Sequence, residues 1–301
     1  MCIRDRDIVK NNLNGLLFNN DHEMERAIIK IIKNEKLSQK LSNNALKLIK
    51  DYSIESTSAK LMNIYKNELY SKKVSVVIPT YKEEKFIEKT LRAVAKQTYP
   101  NYEIVVVDSN SPDRTRQLAK KYTKKVFNLK QRGISKGRNY GARHSDGDII
   151  LFLDADTIIE PDFLMNMTRV FRRENVAGAS GYVKTTGKAI NRLIFMLCSE
   201  VAWVFSKIKR PMFYGMCVAV RRDVYNKIGG FNEKLHTAED IEFTRDMSKY
   251  GKCILSRDAI AYTSPRRVTG MGTFNAVMFH IKNFVNYSLF RKSAKDYPVA
   301  R

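Results

Sequence analysis

The hydrophobic pattern changes character near residue 72. Before it, Ala27-Ile28-Ile29, Ile31-Ile32, Leu37, Leu41, Ala45-Leu46 and Leu48-Ile49 recur at helical spacing between Lys-rich polar faces, and Leu61-Met62, Ile64-Tyr65 and Leu69 extend the series. This predicts two or three helices, the first opening at Asn20 or Asp21. So few helices cannot bury a proper core alone. From Val74 onward, apolar runs alternate with helical patterns. Residues 74–78 read as a strand ended by Pro79, and residues 83–97 as a helix with Phe86, Ile87, Leu91, Val94 and Ala95 on one side. Residues 104–107 form a second strand ended by Asp108; a helix over 115–122, a short strand at 126–127, a helix over 135–144 and a strand over Ile149–Leu153 follow. Such alternation predicts an α/β fold with a mostly parallel sheet flanked by helices.

The polar residues that end these strands carry the chemistry. Ile149-Ile150-Leu151-Phe152-Leu153 is unbroken apolar sequence and stops at Asp154-Ala155-Asp156. Two other strands stop at Pro79-Thr80-Tyr81-Lys82-Glu83 and at Asp108-Ser109-Asn110-Ser111. In a parallel sheet these ends share one edge, where α/β proteins bind ligands. Paired carboxylates there suit a hard cation such as Mg²⁺ or Mn²⁺, which in turn holds substrate phosphates. One D-x-D is weak evidence; three polar strand ends on one edge are much more specific.

Charge sharpens the picture. With 54 Lys and Arg against 31 Asp and Glu, the 301-residue chain carries a formal net charge of +23, which favours an anionic partner: nucleic acid, anionic lipid or a phosphorylated substrate. No nucleic-acid-binding motif accompanies the scattered lysines, so no nucleic acid is expected as partner. Cys2, Cys198, Cys217 and Cys253 form no C-x-x-C pair and no metal-ligand spacing, which favours a reduced, cytoplasmic compartment. No run of 18 apolar residues occurs and no signal peptide is visible, so neither a transmembrane helix nor secretion is expected.

The motifs resemble glycosyltransferase family 2 in order and spacing: Val76-Val77-Ile78-Pro79-Thr80-Tyr81, Val106-Val107-Asp108-Ser109, Gly133-Ile134-Ser135, Arg138-Asn139-Tyr140-Gly141, Gly147-Asp148-Ile149-Ile150 and Phe152-Leu153-Asp154-Ala155-Asp156. The resemblance implies the GT-A (Rossmann-like) fold and a nucleotide-diphosphate sugar donor carrying uracil or guanine (a UDP- or GDP-sugar). It also implies that Pro79, Thr80, Tyr81, Glu83 and Ser135 line the donor, with Asp108 on the base. Arg138 would lie near the diphosphate, with Asn139 shaping its loop. Asp156 would bind the metal, and Asp154 would contact ribose or a metal-bound water. Without the resemblance, Asp108 reads as a turn carboxylate, and Arg138 and Asn139 as helix-surface polarity.

The second half resembles the family's acceptor side. Gly229-Gly230-Phe231 precedes Ala238-Glu239-Asp240-Ile241, and the family's catalytic base is the aspartate of such an acidic pair, here Asp240 rather than Glu239. The alternative is that acids simply favour a helix N-terminus. Arg266 and Arg267 follow a strand over 260–263 and could grip a diphosphate or a lipid phosphate, or belong to a basic surface loop. His236 is a further, weaker candidate. Residues 190–205 and 279–290 are apolar with basic residues at their ends, which fits either core packing or an anionic membrane interface. The expected acceptor is a glycan or lipid-linked hydroxyl; a polyprenyl phosphate is the alternative.

Residues 15–65 weakly resemble the C-terminal tail of glycosyltransferase family 4, and Met1–Arg6 reads unlike natural coding sequence. The expected organisation is therefore residues 1–72 as a helical extension or fused remnant and 73–301 as the GT-A domain. Residues 252–301 form its basic, amphipathic end.

Overall fold

The computed structural model describes residues 8–208, 210–290 and 294. Met1–Arg6, with Cys2, lies outside them, as do the side chain of Arg267 and the basic pair at residues 291–292. The chain forms two compact units, Met1–Leu69 and Tyr70–Arg301.

Among the described residues the first unit has α1 (Asp21–Lys33), α2 (Glu35–Ile49) and α3 (Ile54–Leu69), with a 3-10 turn (Lys50–Tyr52) between the last two. Asn20 caps α1 by accepting the Glu23 N–H, and Asn34 caps α2 by accepting the Leu37 N–H. Among its described hydrophobic residues only Leu41 is buried; Ile32, Leu46, Ile49, Ile54 and Ile64 are all exposed. These helices satisfy their own backbone but assemble no core.

The second unit is built on one eight-stranded sheet. Its strands are β1 (Val74–Thr80), β2 (Tyr102–Asp108), β3 (Val126–Asn128), β4 (Ile149–Leu153), β5 (Thr157–Ile159), β6 (Val176–Thr185), β7 (Cys217–Arg221) and β8 (Lys252–Thr263). Their order is β3-β2-β1-β4-β7-β6-β8-β5. Six strands run in one direction, and β7 and β5 run against them. The sheet is therefore mixed, with its parallel half where the alternating pattern predicts it. Helices α4 (Ile87–Ala95), α5 (Thr115–Ala119), α6 (Ile134–Arg143), α7 (Phe163–Phe171), α8 (Ala189–Lys207), α9 (Arg222–Ile228), α10 (Glu239–Ser248), α11 (Arg266–Met271) and α12 (Thr273–Phe290) surround it.

Strand alternation divides the core into two layers. Val76, Ile78, Val106, Leu151 and Leu153 pack with Ile87 and Leu91 of α4 and Phe163 and Met167 of α7. Val77, Val105, Val107, Ile150 and Phe152 pack on the other side with Ala142, Val224, Phe231, Phe243 and Met247. An aromatic group anchors the second layer: Phe231 stacks on Phe243 at 3.9 Å between centroids, and Phe152 meets Phe231 edge-on at 4.9 Å.

One expectation is corrected here. The helix expected over residues 83–97 begins at Ile87, which leaves Glu83 in the loop after β1, its N–H donated to Thr115 Oγ1. The apolar segment over residues 190–205 forms α8, which is long and apolar enough to cross a membrane by length and composition alone. Polar residues interrupt its apolar run, which is why no unbroken stretch marked it.

Candidate active site

Strand direction brings the site together. The carboxyl ends of β1, β2 and β4 lie on one edge, with Thr80 in register with Asp108. β8 runs the same way, so its end delivers Arg266 there, and β7 runs oppositely, so its beginning delivers Gly215 and Met216. The Met216 carbonyl accepts the Asp154 N–H at 3.0 Å. The Asp154-Ala155-Asp156 turn is held from behind by α4, where Thr90 Oγ1 donates to the Ala155 carbonyl at 2.8 Å.

Asp108 is fully buried and its carboxylate is occupied by its own loop. Thr80 Oγ1 donates to it at 3.0 Å, and the Ser111 N–H and hydroxyl donate at 2.9 and 2.5 Å. The Ser111 hydroxyl in turn accepts the Lys82 N–H. Asp108 therefore locks the loops after β1 and β2 to each other. Tyr81 is half-buried beneath Arg132, whose guanidinium lies 4.4 Å from the ring centroid. Gly137 of α6 approaches Pro79 so closely that a Cβ would stand 3.0 Å from the proline Cβ. Ser135, in the first turn of α6, is buried with no hydrogen-bond partner for its hydroxyl.

Arg138 lies at the centre. It is 1% exposed and donates to Asp154 Oδ1 at 3.1 Å, to Glu239 Oε1 at 3.1 Å and to the Gly215 carbonyl at 2.8 Å. Its guanidinium lies 5.0 Å from the centroid of Phe231. Burial works against the charge of Arg138, but Asp154, Glu239 and Asp240 together hold its pKa above the ordinary value. One guanidinium cannot satisfy three carboxylates. Burial, and next the charge of Asp240, push Glu239 up to about 7 against the pull of Arg138.

Asn139 also turns inward. It donates to the Phe231 carbonyl and to Glu233, and accepts from the Phe231 N–H and the Tyr225 hydroxyl, so it fixes the Gly229-Gly230-Phe231 turn. That turn leads to Ala238, which is left-handed at φ +61°, and into α10. Asp240, only partly buried, accepts the Gly215 N–H at 2.9 Å. His236 is exposed just before α10.

A second arginine serves the other acids. Arg266 contacts Asp156 at 3.0 Å and Glu83 at 2.5 Å, and its guanidinium lies 4.7 Å from the Phe86 ring centroid. Burial opposes its charge, and the hydrogen bond to Glu83 leads the interactions that raise its pKa. Among the described residues, Arg138 and Arg266 pair with Asp154, Glu239, Glu83 and Asp156, while Arg116 lies 4.0 Å from Asp108 and Arg132 stacks on Tyr81 at the same edge. The clustered carboxylates of Asp154, Asp156, Glu239 and Asp240 offer hard oxygen ligands in a partly dry setting, which fits a divalent cation shared with a diphosphate. Among the described residues no cluster of three acidic, His or Cys side chains forms a cation cage by itself. A metal here would take its remaining ligands from substrate and water.

The sequence pattern identified Asp154, Asp156, Glu83, Arg266 and the acidic pair, and the fold gathers them. It missed Gly215, whose only signal is a glycine standing just before the apolar run of β7. It also missed Phe231 as the floor beneath Arg138.

The sequence profile of "Glycosyl transferase family 2" matches residues 75–229. Glycosyltransferase AglE of Haloferax volcanii is 30% identical over 209 residues, 65% of this chain and 68% of that protein. The poly(ribitol-phosphate) β-N-acetylglucosaminyltransferase TarS of Staphylococcus aureus is 31% identical over 191 residues, which are 57% of this chain but only 32% of TarS. A dolichol-phosphate mannosyltransferase of Pyrococcus furiosus is 33% identical over 53% of this chain and 45% of its own. Among solved structures, mannosyltransferase PcManGT from Pyrobaculum calidifontis, in complex with GDP-Man and Mn²⁺, has a TM-score of 0.55 at 21% identity and covers 70% of this chain and 64% of that one. TarS residues 1–349 in complex with UDP give 0.54 at 22%, covering 73% of each chain. These structures share the fold. The chain is a glycosyltransferase and belongs to glycosyltransferase family 2.

Proposed function

We propose that this enzyme moves a sugar from a nucleotide-diphosphate donor to a hydroxyl of a glycan or lipid-linked acceptor, in one inverting displacement. The observation that supports it best is the clustering of Asp154, Asp156, Glu239 and Asp240 around Arg138 and Arg266 at the strand-end edge of a family 2 chain. Asp156 and Asp154 would hold Mg²⁺ or Mn²⁺, which when bound neutralises charge on the departing diphosphate. Thr80, Tyr81 and Glu83 would receive the nucleotide, with Asp108 acting through the loop it fixes. Arg266, 3.0 Å from Asp156, would meet phosphate oxygens, as would the unpartnered Ser135 hydroxyl in the first turn of α6.

Asp240 would accept the proton of the acceptor hydroxyl as its oxygen attacks the anomeric carbon. Two features favour it over Glu239. Asp240 is partly open, whereas Glu239 is buried against Arg138. The Gly215 N–H also orients the Asp240 carboxylate. The similarity to a dolichol-phosphate mannosyltransferase supports a second acceptor class, a polyprenyl phosphate, for which a base matters less. In either case we place the reaction in the cytoplasm, at the inner face of a membrane.

The test is a panel of UDP- and GDP-sugars with Mg²⁺, Mn²⁺ or chelator, read by nucleotide diphosphate release, with Asp240→Asn alongside. We expect one donor to turn over in a metal-dependent way. Asp240→Asn should bind that donor normally and lose about 10²–10⁴-fold in transfer to a hydroxyl. Near-wild-type transfer to a hydroxyl by the variant would sink the base assignment.

A further inference from the structure

We infer that α8, together with the start of α12, is a membrane-seating surface that lies in the plane of an anionic leaflet rather than crossing it. The inference rests on the reading of a membrane-side acceptor given above and adds the surface that would meet the lipid.

Ile190, Leu193, Leu197, Val201, Val204 and Ile208 are each 47–57% exposed. At 3.6 residues per turn they fall within an arc of roughly 80°. A helix with one continuous wet apolar stripe lacks a partner on that side. The opposite side is fastened. Asn191, Ser199 and Ala202 are buried, and Ser199 Oγ donates to the Val183 carbonyl of β6. At the edge of the stripe, Glu200 accepts the Tyr182 hydroxyl and pairs with Arg257. A helix tied to the sheet by these bonds cannot enter a bilayer along its axis, but it can lie on one.

α12 carries a second exposed apolar row. Thr273 Oγ1 donates to Asn191 Oδ1 at 2.9 Å, joining the two helices at their first turns. Phe274, Met278 and Ile281 recur at helical spacing and are exposed, Phe274 by 75%.

Charge selects the occupant. Lys188, Arg192, Lys207 and Arg210 are exposed on or beside α8, and Lys282 is exposed on α12. Trp203 lies between Arg257, 3.8 Å from its ring centroid, and Lys207, at 5.3 Å. The one acid of α8, Glu200, is already paired. An apolar stripe whose helix carries exposed basic residues at both ends, Lys188 before it and Lys207 and Arg210 at its close, fits an anionic lipid surface. Both ends of α8 also lead to the active site. Before it, a Cβ on Gly187 would lie 3.1 Å from Pro265, the neighbour of Arg266. After it, the chain runs to Gly215, which binds Arg138 and Asp240. A leaflet under α8 would thus present a lipid-linked acceptor beside the base.

The experiment is co-sedimentation of the full chain with vesicles of phosphatidylcholine alone or with phosphatidylglycerol added. We expect binding to the anionic vesicles only. Leu193→Gln/Leu197→Gln/Val201→Gln should lower it about tenfold or more. Melting temperature and soluble donor hydrolysis should stay at wild-type values. If that triple variant melts early, Ile190→Gln/Val204→Gln at the helix ends carries the same expectation. Wild-type vesicle binding by a folded stripe variant would overturn the inference. So would a lipid-free dimer, seen by light scattering, that the same substitutions make monomeric. Vesicle binding is read without turnover, so its failure is distinct from failure of the transferase reading.

Discussion

At the scale of single residues, the site is governed by how its acids share one buried arginine. Arg138 is shared by Asp154 and Glu239, with Asp240 close enough to add its field. The raised Glu239 has a direct consequence for stability. Its ordinary value is 4.5 and its folded value about 7, so the folded chain holds a proton that the unfolded chain releases. That contribution is complete below about pH 4.5 and lost as pH rises through about 7. Glu239→Gln removes the titration. The melting temperature of the variant minus that of the wild type should therefore increase from pH 5 to pH 8. A constant difference across that range would contradict the assignment.

At the scale of elements, legibility follows sequence distance. The apolar runs of β1, β2 and β4, each ending in polar residues, could be read along the chain because a strand and its terminus are contiguous. Pro79, Thr80, Asp108, Asp154 and Asp156 were visible for that reason. The Arg138–Glu239 pair was not, because it depends on α6 and α10 meeting on one face of the sheet, and no local pattern encodes that encounter. Arg138 and Asn139 were singled out by the family resemblance alone, since local pattern reads them as helix-surface polarity; both are buried, because α6 turns a polar side toward the sheet edge. β6, β7 and α7 gave no motif and emerged only from the structure. The aromatic floor belongs to this scale as well. Phe231 is 4% exposed, stacked on Phe243 and placed beneath Arg138. Phe231→Ala should cost about 3–5 kcal/mol in denaturant unfolding and lower transfer too, because the guanidinium loses its support. A loss below about 1 kcal/mol would show that the turn repacks around the gap.

At the scale of the whole molecule, the two units differ in kind. Tyr70–Arg301 contains both core layers and every candidate site residue, whereas the described helices of Met1–Leu69 bury almost no side chain. We therefore expect a chain lacking residues 1–69 to keep its turnover of the nucleotide sugar; loss of that turnover in a folded protein would mean that the helices belong to the enzyme. The change of hydrophobic period falls near residue 72, and the two compact units divide between Leu69 and Tyr70. The reversed strand β7 carries one more consequence, for how this enzyme can vary over descent. Because β7 enters the edge by its beginning, the contacts to Arg138 and Asp240 come from the main chain of Gly215, not from a side chain. A Cβ there would come within 2.8 Å of Arg138 Nη2. A residue inserted or deleted between Gly215 and β7 would misplace both contacts at once, and a side chain at position 215 would crowd Arg138. Lineages should therefore hold the length of this entry, its glycine and the buried Phe213 before it.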